Sequence, residues 1–266
     1  MHATSELLLQ IEVITEICQM LLEYGAEISR VEKYAASLSK AYEIRNTNIF
    51  VIPHYMTISY TDDSANPITK AIRCKNKGTD LTKIELISRL INRITENPKL
   101  EFDVIYSELK NIRNSKAGIS FASILAYIGI AITHTLLFNG TAIDSLCAAL
   151  CSLTLYSFDQ VTRRSRISDV ILKLLEAMLL AFVSFWCVSF LSSFGITGKA
   201  DSIIKGNIML LVPGIKFTNG IRDFFNGDLL SAILHVVDAI LTTVAIAIGI
   251  GVVFYLYDLL NGMGIL

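Results

Sequence analysis

GNIMLLVPGIKFTNGIRDFFNGDLLSAILHVVD, residues 206–238, is the stretch on which the reading of this chain turns. An apolar run from Ile208 to Val212 meets Pro213-Gly214. Polar groups then recur at Lys216, Asn219, Arg222, Asp223, Asn226 and Asp228. On a helix that begins after Gly214, Lys216, Asn219, Asp223 and Asn226 share one face, because their spacings are multiples of a helical turn. Proline removes a backbone donor and glycine loosens the helix, so Pro213-Gly214 should kink or break it. A broken helix with a polar stripe at membrane depth survives only where protein buries it or where it lines a cavity. The alternative is a membrane helix whose end turns polar as it leaves the lipid, with Lys216 reaching back to water.

The flanking sequence frames that choice. The chain has 266 residues, 53% of them hydrophobic, and a mean hydropathy of +0.54. That is too apolar for an ordinary soluble domain. A net charge of −1 conceals segregation: residues 1–116 hold 15 Lys and Arg and 15 Asp and Glu, against totals of 23 and 24. The pattern predicts a soluble domain, 1–116, followed by a membrane domain, 117–266. Balanced charge in the first part gives no electrostatic footprint for nucleic acid. The cysteines Cys18, Cys74, Cys147, Cys151 and Cys187 form no CxxC and read as small core residues, not metal ligands. The N-terminus, MHATSELLLQIE, is charged and lacks the long apolar run of a signal peptide. The first domain is therefore expected to stay in the cytoplasm.

Residues 4–42 read as helix, capped at Thr4 or Ser5, with Leu8, Ile11, Ile14, Ile17, Cys18, Leu21 and Leu22 in one stripe. Gly25 divides it in two or marks a close contact. Beyond it Glu27 and Arg30 stand three apart, the spacing of a surface pair. TNIFVIPHYMTISY (47–60) reads as a strand interrupted by Pro53. Residues 62–67 make a turn and 68–76 its hairpin partner. Thr79 or Asp80 caps a helix that Pro98 stops, and a last helix covers 101–113. His54 reads as a structural or surface imidazole. Neither a phosphate loop nor a metal-spaced cluster appears in this small α+β domain.

Beyond Lys116 five apolar segments are long enough to span a membrane: 119–138, 141–161, 170–194, 203–221 and 230–257. Loop charges set the orientation. Lys110, Arg113 and Lys116 precede the first segment, Arg163–Arg166 follow the second, and Lys216 and Arg222 mark the end of the fourth. The intervening loops are nearly uncharged, so the positive-inside rule puts the N-terminus in the cytoplasm and the C-terminus outside. Within the spans, His235 and Asp238 lie on one face and Glu176 faces Lys173 at i, i+3. Asp159 reads as a solvated end of its helix. Asp144 and Asp258 read as outer-face residues of little consequence. Ala245 and Gly249 read as a close helix-packing face.

Two stretches carry a family resemblance. PGIKFTNGIRDFFNGD resembles the Pro-Gly…Asn-x-x-Arg-Asp-x-x-x-Gly-Asp signature of the threonine/serine exporter family, ThrE. It does so through Pro213, Gly214, Asn219, Arg222, Asp223, Gly227 and Asp228. LLEYGAEISRVEKYAASLSKAYEI resembles the family's entry motif through Gly25, Glu27, Arg30 and Glu32, departing at Ile28 and Ser29, where members often carry Thr. More narrowly the chain is similar to the half-length, YjjP-like members. The resemblance implies a mostly α polytopic membrane protein, five spans following the α+β domain, set in the inner membrane. It further implies one subunit of a secondary exporter of threonine- or serine-like amino acids or succinate-like dicarboxylates. A second small membrane subunit or a homo-oligomer would complete it, and neither cofactor nor metal is implied.

In that setting Pro213, Gly214, Lys216, Asn219, Arg222, Asp223, Asp228, His235 and Asp238 become pathway residues. Lys216 or Arg222 would pair with a substrate carboxylate. Asp223, Asp228 or the His235/Asp238 pair would carry a proton. Two other classes stay open: a membrane-anchored hydrolase in residues 1–116, which lacks a GxSxG nucleophile motif, and a sensor or scaffold gated by that domain.

Overall fold

A computed structural model describes residues 2–44, 46–61, 67–74, 78–115, 121–162 and 167–262. Residues 62–66 of the turn expected at 62–67, Lys116, the Arg163–Arg166 run and the C-terminal Leu266 lie outside the described residues. So do the side chains of Thr4 and Ser5. Two compact units result, and the chain passes between them inside two helices. One gathers Met1–Ala117 and Thr218–His235, the other Gly118–Phe217 and Val236–Leu266.

The first unit opens with α1 (His2–Glu23) and α2 (Ile28–Ala41). Val13, Ile14, Ile17 and Leu21 of α1 and Ile28, Val31, Ala35 and Leu38 of α2 are buried, as their helical spacing requires. A three-stranded antiparallel sheet follows: β1 (Asn48–Ile52), β2 (Tyr55–Thr61) and β3 (Pro67–Arg73), in the order β1-β2-β3. Ile52 pairs with Tyr55, so Pro53-His54 is a two-residue hairpin turn. The run 47–60 is thus two strands that reverse at the proline, which has no N–H to give a ladder. Val51, Met56 and Ile58 turn inward. In α3 (Leu81–Glu96) the Asp80 side chain accepts the Lys83 N–H at 3.0 Å, making Asp80 the cap. Its Ile84, Ile87, Leu90, Ile91 and Ile94 join Ile105 and Leu109 of α4 (Phe102–Asn114) in the same core. Full burial of each such side chain contributes about 1.5–3 kcal/mol.

The second unit holds α5 (Phe121–Leu137), α6 (Ala142–Thr162), α7 (Asp169–Ser192) and α8 (Ala200–Ile208). It also takes the start of α9 (Gly214–Asn226) and most of α10 (Leu229–Gly262). Small residues set its contacts. Gly206 of α8 lies where an added Cβ would fall on the Thr135 hydroxyl and stand 2.8 Å from the Thr135 backbone nitrogen. Gly249 sits against the Leu174 carbonyl, 2.5 Å from where its Cβ would be, and Ala245 one turn earlier is buried. The packing face expected from that pair is present. Lys173 and Glu176 pair at 2.6 Å, as their spacing implies.

The five expected spans are not found among the described residues. Among the described residues two helices are long and apolar enough to cross a membrane, α7 and α10. Their outward faces carry Phe182, Trp186, Phe190, Ile240, Val244 and Ile248. Segment 203–221 breaks at Pro213-Gly214 into α8 and α9, each too short to span. The apolar helix α5 has 17 residues, and α6 carries Asp144, Ser145, Ser152, Asp159 and Gln160. Asp144 is no idle surface acid either. It is fully buried, and its carboxylate accepts the Thr141 N–H and hydroxyl and the Lys199 N–H, each at 2.8 Å. That staple ties the start of α6 to the start of α8.

Candidate functional site

Both recognisable stretches use the same local device. At Gly25, φ is +75°, the Ala26 N–H reaches the Leu21 carbonyl at 2.9 Å, and α1 ends in a left-handed turn. Glu27 then opens α2, its carbonyl accepting from Arg30 and Val31. At Gly227, φ is +88°, the Asp228 N–H reaches the Asp223 carbonyl at 2.9 Å, and α9 ends likewise. Asp228 opens α10, its carbonyl accepting from Ala232. Each glycine therefore turns the chain so that an acid stands at the start of the next helix, where its charge is favoured.

The two turns are brought together inside the first unit. Arg222 Nη1 lies 2.5 Å from Glu27 Oε2. Glu27 Oε1 accepts the Ser29 hydroxyl at 2.6 Å. Glu32, Phe50, Val51 and Ile52 face Gly227–Ser231 across a cleft of about 260 Å³. Asp223 is 0% exposed, and among the described residues neither of its carboxylate oxygens has a hydrogen-bond partner. His235 Nε2 stands 3.5 Å from Asp223 Oδ2.

The charges follow from this geometry. Burial pushes the Asp223 carboxyl up to about 6; Asp228, Glu27 and Glu32 add to the rise and Arg222 opposes it. Glu32 is also raised, by burial first and then by Asp228, against a hydrogen bond from the Val51 backbone. Burial alone would raise Glu27, but the Ser29 hydroxyl and the Arg222 guanidinium outweigh it and hold that carboxyl below its usual range. The site thus pairs a carboxyl that exchanges protons near neutral pH with a guanidinium beside it.

A family model described as "Putative threonine/serine exporter" matches residues 12–257 of this chain. The chain belongs to the threonine/serine exporter family. Pheromone-regulated membrane protein 10 of Pichia sorbitophila is similar to it, 23% identical over 252 residues that cover 92% of this chain and 25% of that protein. The chain therefore spans about a quarter of that relative's length. No solved structure matches it.

The family's two motifs do not place every expected residue in one site. Glu27, Glu32, Arg222, Asp223, Asp228 and His235 converge. Lys216 instead pairs with Asp169 at the start of α7, at 2.8 Å, in the second unit. Pro213 and Gly214 form the break before α9, and Asn219 is half-buried on it. Asn226, though on the expected face, is exposed, as is Arg30. Asp238 is half-buried on α10, and its carbonyl accepts the Thr242 hydroxyl. Ser29 and the Val51 backbone were not foreseen as partners. Ser29 had a signal, a hydroxyl two residues past an acid at a helix start; Val51 had none. No group of three His, Cys, Asp or Glu among the described residues is placed to hold a metal ion.

Proposed function

We propose that this chain is a subunit of an ion-gradient-coupled exporter of small hydrophilic metabolites, threonine- or serine-like amino acids or succinate-like dicarboxylates. It resembles the half-length, YjjP-like members, and it works in the lipid bilayer with a second small membrane subunit or a further copy of itself. The observation that carries this reading is Asp223: a fully buried carboxyl with no hydrogen-bond partner among the described residues, facing His235 and set beside Arg222. An unbonded buried carboxylate is costly, so such a group is retained for what its proton does. In this mechanism Arg222 binds the substrate carboxylate through paired N–H donors. Asp223 takes up a proton from the gradient and His235 relays it. Loss of the Asp223 charge on protonation strengthens the hold of Arg222 on an anion, so substrate binding accompanies proton uptake and release of the anion accompanies loss of the proton.

Vesicles carrying the chain with its partner subunit, loaded with labelled threonine or labelled succinate, test the proposal. An imposed pH gradient should drive efflux of one of them. Arg222→Gln should weaken substrate binding by about 1.5–3 kcal/mol, a rise in KM of roughly 10- to 150-fold. Efflux that ignores the pH gradient would remove the proton from the mechanism.

For orientation we place residues 1–116 in the cytoplasm and Leu266 outside the cell membrane, from the alternation of loop charge. A cysteine introduced at Ser5 should resist an impermeant thiol reagent in intact cells, and one at Ile265 should react. The reverse labelling would invert the placement.

A further inference from the structure

Arg222, the group proposed to hold a substrate carboxylate, already holds a carboxylate in this structure. Its partner is Glu27, 195 residues earlier in the chain. The guanidinium side chain is 52% exposed and open to an arriving ligand, whereas Glu27 is 18% exposed. Glu27 also has somewhere else to go. Its other oxygen accepts the Ser29 hydroxyl at 2.6 Å, the Arg30 charge acts on it, and it stands at the start of α2. Those partners keep it ionised after it releases Arg222.

The energetics favour exchange. A half-exposed ion pair is weak, because water screens it, and a substrate carboxylate can meet the guanidinium with two parallel hydrogen bonds. The two anions repel each other, and Asp223, Asp228 and Glu32 already crowd negative charge around this point. A second carboxylate at Arg222 therefore requires the first to leave.

We infer that Glu27 is a built-in competitor, a surrogate carboxylate that occupies Arg222 in the empty site and is expelled by the carboxylate of the substrate. This rests on the exporter reading and extends it, because it makes a residue of the first 116 a determinant of substrate affinity. Ligands lacking a carboxylate would leave the pair closed.

The test uses the same vesicles, with labelled threonine and labelled succinate as probes. In Glu27→Gln the competitor loses its charge, and KM, read separately from the maximal rate, should fall about two- to fivefold. Glu27→Asp, one methylene shorter, should lower KM in the same direction, and it carries the test if Glu27→Gln fails to accumulate. The double exchange Glu27→Arg with Arg222→Glu restores an ion pair but moves the guanidinium from the open α9 position to the far less exposed start of α2; it should reach wild-type abundance and export neither probe. An unchanged or raised KM in the Glu27 variants would overturn the inference, as would export by the double exchange, since each would make the pair purely structural. Wild-type vesicles that move neither probe would instead remove the exporter reading, and the inference with it.

Discussion

Gradient-driven export is expected to vanish in Asp223→Asn while the protein accumulates at the wild-type level. The amide keeps the size of the carboxyl but can neither ionise nor take up a proton. Accumulation should not suffer, because no hydrogen bond to the Asp223 carboxylate is lost among the described residues. Stability should even improve, with a defined pH dependence. The folded-state pKa, about 6, lies above the ordinary 3.8, so the wild type is penalised wherever the unfolded carboxyl is ionised, first by holding a proton in the fold and, above about pH 6, by burying the charge. Below about pH 4 the carboxyl is protonated whether folded or not, and the two proteins should melt alike. Between pH 4 and 6 the wild type should fall progressively behind, by on the order of 3 kcal/mol above pH 6. Melting curves across that range read the difference. Phe224→Leu is the comparison: Phe224 is exposed, and its variant should export nearly normally. Normal export by Asp223→Asn would end the pathway reading.

The second large effect concerns folding, not transport. Gly206→Leu should all but abolish accumulation in the membrane. A Cβ at this position meets backbone as well as side chain: the Thr135 nitrogen at 2.8 Å and its Cα at 2.9 Å. Trimming Thr135 to Ala therefore cannot make room, and α8 must separate from α5. Overpacking typically costs about 1–3 kcal/mol, and a branched side chain against fixed backbone lies at or above that range. Gly251→Leu is the control, since nothing lies within 4 Å of its added Cβ. Equal abundance of the two variants would contradict the close packing of α8 on α5.

Much of this architecture was legible in the sequence. Pro213-Gly214 announced a kink or break, Gly25 a division between two helices or a close contact, and Thr79 or Asp80 a cap, because each acts through its own backbone or its nearest neighbours. The count of spans was not legible, since hydropathy averages over a window. It joins α8 to α9 across the break and does not register that Asp144 turns inward to hold Lys199. The site was legible in pieces. Glu27 and Arg222 each stood out, but Glu27 was matched with Arg30, three residues on, because helical spacing finds only local partners. Likewise His235 was matched with Asp238 on its own helix, and the turn at Gly227 also brings Asp223 to within 3.5 Å of it. Lys216, on the same predicted face as Asp223, went to Asp169 because α9 passes from one unit to the other between them.

The 34 residues of α10 rise about 51 Å, well beyond the roughly 30 Å of a hydrocarbon core. From Asp238 to Asp258 the helix has no ionisable residue other than tyrosine, and that interval rises about 30 Å. Thr242 and Thr243, the hydroxyl-bearing residues near its start, return their O–H groups to the Asp238 and Ala239 carbonyls. Tyr255 and Tyr257 stand at its other end, the depth at which amphipathic rings favour the headgroups. In a bilayer crossed by α10, the two aspartates would act as a gauge of its thickness. A thinner membrane is met by tilting, but a thicker one draws a carboxylate into lipid, so hydrophobic mismatch is penalised far more steeply on one side than on the other.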